Sequence, residues 1–260
     1  MPKISANLGF LWPELDLCDR IYAAKDAGFD AVECHWPFDV DAVKVASALS
    51  ATGLTMLSLN TAIAGEGAGE YGFGAVPNHE ECARETIDEA VEYARTIGSK
   101  NIHLMAGTSG DGDESIKAYL ANLRYASVQA EKHSIGVIIE PINRFDRPGY
   151  TLHSIDQALI ILGALHSNGE NKNVGLMFDC YHVQTTEGGL TRRIQQALPH
   201  VIHIQIASVP DRHEPDRGEI DLFWLLRWLD EIGYSGFVGA EYIPETTTNA
   251  GLSWLARVKR

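Results

Sequence analysis

Eight short apolar segments, each followed by a stretch long enough for a helix, restrict the fold of this chain more than any other feature. They are KISANLGF (3–10), AVECHWP (31–37), LTMLSLNT (54–61), NIHLMAG (101–107), GVIIEP (136–141), VGLMFDCYH (174–182), VIHIQIA (201–207) and GFVGAEY (236–242). The stretches between them are amphipathic: over 220–232, Leu225, Trp228, Leu229 and Ile232 recur at helical spacing. Asn78 with Glu81, and Ser154 with Gln157, have the polar-x-x-Glu/Gln form that starts a helix. Gly28, Gly53, Gly98, Gly136 and Gly233 stand where a helix would end and a strand begin. Eight strand–helix units in 260 residues predict an α/β fold, a single (β/α)8 TIM barrel over residues 1–260. An open doubly wound sheet is the alternative, disfavoured because no G-x-G-x-x-G follows the first strand.

The seventh segment raises a chemical question, because Ile202, Ile204 and Ile206 alternate with His203 and Gln205 and so aim an amide at the interior. Its neighbours answer it. The fifth segment ends at Glu140, the sixth at Asp179 and the eighth at Glu241, so four consecutive strands carry an oxygen-bearing side chain at the carboxyl end. Barrel enzymes build their sites at that end. Three clustered carboxylates repel one another and require a cation. Three carboxylates and an amide oxygen form a hard donor set suited to Mg²⁺ or Mn²⁺, with Gln205 completing the shell without adding a fourth negative charge.

Other groups fall on the same face. His182 follows Asp179 closely enough to donate to a substrate oxygen. Arg212 and His213 after the seventh strand, and Arg144 and Arg147 after the fifth, are candidates for gripping a carboxylate, which a guanidinium binds through both oxygens. His203 reads as a packed core histidine, and Glu33 and Asn60 as groups supporting the site. The segment AIAGEGAGEYGFGAVP (62–77), with five glycines, reads as a lid over it.

The totals narrow the function classes. With 35 acidic and 21 basic residues the net charge is −14, which opposes binding to nucleic acid or to an anionic membrane. No apolar run approaches the ~20 residues of a membrane span, and no signal peptide is evident, so the expected location is the cytoplasm. Cys18, Cys34, Cys82 and Cys180 show no disulfide or zinc-site spacing. There is no G-x-S-x-G elbow for covalent catalysis. A divalent cation among carboxylates suits proton transfer at a carbon next to a carbonyl.

The motifs VIIEPIN, FDCYH, HIQIASVPDRHEPDRGEID and GFVGAEYIP, with NTAIAGEGAGEYGFGAVP and HLMAGT, resemble the hydroxypyruvate isomerase family over almost the whole chain. That family belongs to the xylose-isomerase-like barrels. The resemblance implies interconversion of hydroxypyruvate and 2-hydroxy-3-oxopropanoate (tartronate semialdehyde) by metal-assisted proton transfer through an enediolate. It implies that Glu140 and Glu241 form the proton donor/acceptor pair and that Glu140, Asp179, Gln205 and Glu241 bind the metal. Close relatives isomerise 2-oxotetronates instead, and the motifs do not separate the two. Ketose 3-epimerases typically have histidine where Gln205 stands, which argues for the isomerase branch. The implied partner is a small 2-oxo acid, with a homo-oligomer compatible. A ketose epimerase or dehydratase, and a barrel that binds metal and ligand without turnover, are the other readings.

Overall fold

The computed structural model describes residues 2–259 apart from 66 and 68. All eight apolar segments contain a strand. In chain order these are β1 (Lys3–Asn7), β2 (Ala31–Glu33), β3 (Ser58–Asn60), β4 (Asn101–His103), β5 (Gly136–Ile139), β6 (Val174–Asp179), β7 (Val201–Ile206) and β8 (Phe237–Ala240). Every pairing is parallel, in the order β2-β1-β8-β7-β6-β5-β4-β3. The two ends meet: Val32 bridges Met56, and Cys34 N–H donates to Ser58 O at 3.1 Å, so the sheet closes into a barrel.

Helices α1 (Leu17–Ala27), α2 (Ala42–Thr52), α3 (Glu80–Ile97), α4 (Asp113–Glu131) and α5 (Ile155–His166) fill the first five crossovers. The sixth holds two, α6 (Cys180–Thr186) and α7 (Leu190–Ala197). The seventh holds α8 (Leu222–Glu231), and α9 (Thr248–Gly251) and α10 (Ser253–Val258) follow β8. The sixth crossover and the stretch after β8 thus each carry a pair where one helix was expected. Among the described residues, no helix is long and apolar enough to cross a membrane.

Local signals were obeyed unevenly. Gly28, Gly53 and Gly98 cap α1, α2 and α3 in the left-handed conformation. Gly136 does not cap α4. It opens β5, where a Cβ would strike the Asn101 side chain, and Ser134 at φ 58° makes the turn instead. Ser154 caps α5 by accepting from Gln157 N–H, whereas the Gln157 side chain accepts from His153 N–H at 3.0 Å, not from Ser154. Asn78, at φ 61°, is no cap, because α3 starts after His79.

Strand alternation separates two layers. Ile4, Val32, Ile102, Ile139, Phe178, Ile204 and Val238 join the helices in one apolar cluster. Alternate positions, Ser5, Asn7, Glu33, His103, Asp179, His203 and Gln205, are buried and polar, and Glu33 links Asn7 and Gln205 in a hydrogen-bonded network where many barrels carry branched aliphatics. That network supports the carboxyl-terminal face.

Candidate active site

Parallel pairing brings the strand ends together. Asp179 and Gln205 are direct partners across β6 and β7, Ile206 pairs with Ala240, and Ile139 pairs with Leu176. Glu140 and Glu241 are therefore the first residues past β5 and β8, on the inward parity of their strands. All four predicted ligands are buried.

Asp179 and Gln205 are each held at one atom and left open at the other. Asp179 Oδ1 caps α6 by accepting from Tyr181 N–H at 2.8 Å. Gln205 Nε2 donates to Glu33 Oε1 at 3.1 Å. Three buried oxygens on three consecutive strands, Glu140 Oε1, Asp179 Oδ2 and Gln205 Oε1, have no hydrogen-bond partner among the described residues. Unpaired buried acceptors are costly. Three of them together, all hard oxygens, fit a divalent cation.

Glu241 is different, because both its oxygens are engaged. Oε1 accepts from Asn7 Nδ2 at 2.9 Å and lies 2.9 Å from His35 Nε2. Oε2 accepts from Arg212 Nη2 at 2.7 Å. Arg212 also lies 3.5 Å from Asp179 Oδ2, and its guanidinium sits between the rings of Phe10 and Tyr181, 5.1 and 4.8 Å from their centroids. The positive group that the carboxylates require is, in this structure, Arg212. For Glu241 to join Asp179 on a metal, Oε2 must exchange the guanidinium for the ion.

The electrostatics follow from burial and from this one cation. Burial, reinforced by Glu241 and Asp179, pushes the Glu140 carboxyl well above its usual range. Burial also raises Asp179, against the opposing pull of Arg212. At Glu241 burial acts in the same sense but is outweighed by Arg212 and His35, and the group is held below the usual range. Burial keeps His103 and His182 neutral, lowering the first to about 3 and the second well below an ordinary histidine.

His182 Nε2 lies 3.7 Å from Glu140 Oε1 and 3.5 Å from Asp179 Oδ2, and the three residues offer ligand atoms all within 4.8 Å of one another. Above them is a cavity of about 150 Å³, walled by Phe10, Tyr71, Met105, Ile142 and Arg147, with Glu140, His182, Arg212 and Glu241 also lining it. Arg147 lies over the Tyr71 ring, 4.4 Å from its centroid. Arg144 is directed elsewhere, to Tyr150 O at 3.1 Å and Asp111 at 3.4 Å, and does not line the cavity. Nor does His213, whose Nδ1 faces Ile243 O at 2.8 Å. Of the groups expected to support the site, Glu33 holds Gln205, Asn60 lines the cavity, and His203 packs in the core with Nε2 2.5 Å from Glu33 Oε2.

The glycine-rich segment forms a wall. Gly74 and Ala75 N–H donate to Met105 O and Ala106 O at 3.0 and 2.7 Å. A Cβ at Gly72 would strike Met105, so this glycine serves close packing of the segment on the residues just past β4 more than mobility. Glu66 and Ala68 lie outside the described residues. Sequence reading missed Asn7, His35 and Asn143. Asn7 carried the same signal as Glu140, a polar residue ending an apolar strand.

Comparison with known proteins agrees with this architecture. The family described as xylose isomerase-like TIM barrel matches residues 21–258. A 2-oxo-tetronate isomerase of Cupriavidus necator is 40% identical over 258 residues, 98% of each chain. A hydroxypyruvate isomerase of Escherichia coli is 38% identical over 258 residues, again 98% of each. A crystal structure described as AP endonuclease, family 2, from Brucella melitensis superposes with a TM-score of 0.91 at 36% identity, covering 99% of both chains.

Proposed function

The chain belongs to the xylose isomerase-like TIM barrel family, and on that premise we propose that it is an aldose–ketose type isomerase interconverting hydroxypyruvate and 2-hydroxy-3-oxopropanoate. The observation that carries this reading is the set of three unpartnered oxygens, on Glu140, Asp179 and Gln205, beneath a small cavity that arginines line. A Mg²⁺ or Mn²⁺ ion held there by Glu140, Asp179, Gln205 and Glu241 would polarise the substrate carbonyl.

The chain's own residues supply the rest. Arg212 and Arg147 hold the substrate carboxylate, and His182 donates to a substrate oxygen. One of Glu140 and Glu241 takes the proton from C3, so that the C3–H bond breaks and its electron pair forms the C2=C3 bond. The other delivers a proton to C2, while the hydroxyl proton passes from the C3 oxygen to the C2 oxygen. Atoms and charge balance, and no oxidant is needed. Tyr71, Met105 and Ile142 keep bulk water from the exchanging protons.

A second substrate is favoured by a specific observation: the Cupriavidus relative at 40% identity is named for 2-oxo-tetronate. The same transfer on a four-carbon acid needs room only beyond C3. The proposed setting is the cytoplasm, in keeping with four free cysteines, and the charge of −14 favours a small-molecule partner over nucleic acid.

Turnover of hydroxypyruvate and of 2-oxotetronates, with Mg²⁺ or Mn²⁺ and after chelation, tests the proposal. Activity on one or both, lost on chelation and accompanied by deuterium entry from heavy water, is the expected result. Glu140→Gln and Glu241→Gln should each lower kcat by about 10²- to 10⁴-fold. Wild-type rates in both variants would remove the proton-transfer assignment.

A further inference from the structure

Two carboxylates and an imidazole with ligand atoms within 4.8 Å would ordinarily be read as a three-ligand metal site. The hydrogen bonds behind His182 argue otherwise. Asn143 Oδ1 accepts from Asp146 N–H at 2.9 Å, which fixes the orientation of the amide. Its Nδ2 is then the atom facing Asp146 Oδ2 at 2.9 Å and His182 Nδ1 at 2.7 Å. The reverse orientation would set an amide oxygen against a carboxylate oxygen and an NH₂ against an N–H. Nδ2 has two hydrogens, one for each acceptor. Asn143 N–H also points at His182 Nδ1, at 3.4 Å.

A neutral imidazole carries one proton, and a nitrogen that accepts does not hold it. We infer that Asn143 fixes His182 in the tautomer protonated on Nε2, which makes the imidazole a hydrogen-bond donor to the reacting molecule and keeps it out of the metal's ligand set. Arg212 Nη2 lies 3.4 Å from His182 Nε2 and competes for a lone pair there. That contact is much longer than the 2.7 Å bond to Nδ1; of the two Nη2 hydrogens one goes to Glu241 at 2.7 Å and the other has Asp179 Oδ2 at 3.5 Å as an alternative acceptor.

Two consequences follow. His182 Nδ1, facing Asn143, is turned away from the cavity, so neither ring nitrogen offers a lone pair to a cation. Gln205, whose Oε1 is buried and unpartnered, then supplies an oxygen beside those of Glu140, Asp179 and Glu241. Asn143 is a positioning residue, acting through His182. The donor role rests on the isomerase reading, whereas the tautomer does not.

The test is a long-range ¹H–¹⁵N correlation spectrum of the full metal-free chain labelled at histidine, with His182 assigned by its disappearance in His182→Gln. Expected are an unprotonated Nδ1 and a protonated Nε2, moving toward averaged tautomers in Asn143→Leu. A proton on Nδ1 in the wild type, or an unchanged pattern in Asn143→Leu, overturns the inference. Mn²⁺ binding gives a second reading. His182→Gln should hold affinity within about threefold, and a loss of about tenfold or more, the scale of disturbed metal shells, would make His182 a ligand and also overturn it. None of these measurements depends on turnover, so failure of the isomerase reading would be seen separately, as absence of activity on either oxo acid.

Discussion

Gln205 and Glu33 are joined inside the barrel by a 3.1 Å hydrogen bond from Nε2 to Oε1, and that bond decides that the oxygen end of the Gln205 amide is the one left unpartnered. Glu33 Oε1 also receives Asn7 Nδ2 at 3.3 Å, and Asn7 in turn donates to Glu241. One buried carboxylate thus orients Gln205 directly and, through Asn7, Glu241. Replacing Glu33 by Gln lets either amide flip, and Mn²⁺ affinity is expected to fall about tenfold. In a Gln205→Ala background the same replacement should cost much less, because there is no amide left to orient. Equal losses in both backgrounds, measured by calorimetric titration, would assign the effect to charge alone.

Arg212 stands as the counter-ion of Glu241 and Asp179. Removing it leaves those carboxylates without compensation, and a divalent cation relieves that repulsion. Arg212→Met should therefore bind Mn²⁺ about tenfold more tightly, some 1.4 kcal/mol, while its KM for hydroxypyruvate rises. Weaker metal binding would show that the guanidinium supports the ion and does not compete with it.

The two arginines after β5 separate by place. Arg147 lines the cavity, while Arg144 pairs with Asp111 outside it. Arg147→Met is expected to raise KM by about tenfold through loss of charge-assisted hydrogen bonds. Arg144→Met should change KM little, since an exposed ion pair contributes only ~0–1 kcal/mol. Steady-state kinetics of the two variants decide the assignment.

Gly239 on β8 faces the inner layer, where an added Cβ would run into the Glu33 carboxylate and His203 Nε2. Gly239→Ala should destabilise the fold by about 1–3 kcal/mol. Because the displaced group is the one that holds Gln205, metal affinity should fall with it. Urea unfolding, read beside Mn²⁺ titration, checks both.

The meeting of Glu140, Asp179, Gln205 and Glu241 at one end of the barrel was legible from the chain alone, because each lies near the carboxyl end of an apolar segment. The eight strands were legible for the related reason that alternation and helix-ending glycines are local signals. Partner choice was not. Arg144 and Arg147 sit three residues apart in one loop, and only the turn over 143–150 sends one to Asp111 and the other over Tyr71. The glycines at 62–77 suggested freedom, whereas Gly72 is needed where the segment presses on Met105.

The sequence by itself determined the barrel and the four oxygen-bearing side chains at its carboxyl-terminal end, since each follows from period, spacing and side-chain type along a single segment. Tertiary structure alone decided which cation faces Glu241, which way the amides of Gln205 and Asn143 point, and which nitrogen of His182 holds the proton. Those depend on atoms from strands and loops far apart in the chain meeting within about 3 Å, the range over which a hydrogen bond selects one orientation over its reverse.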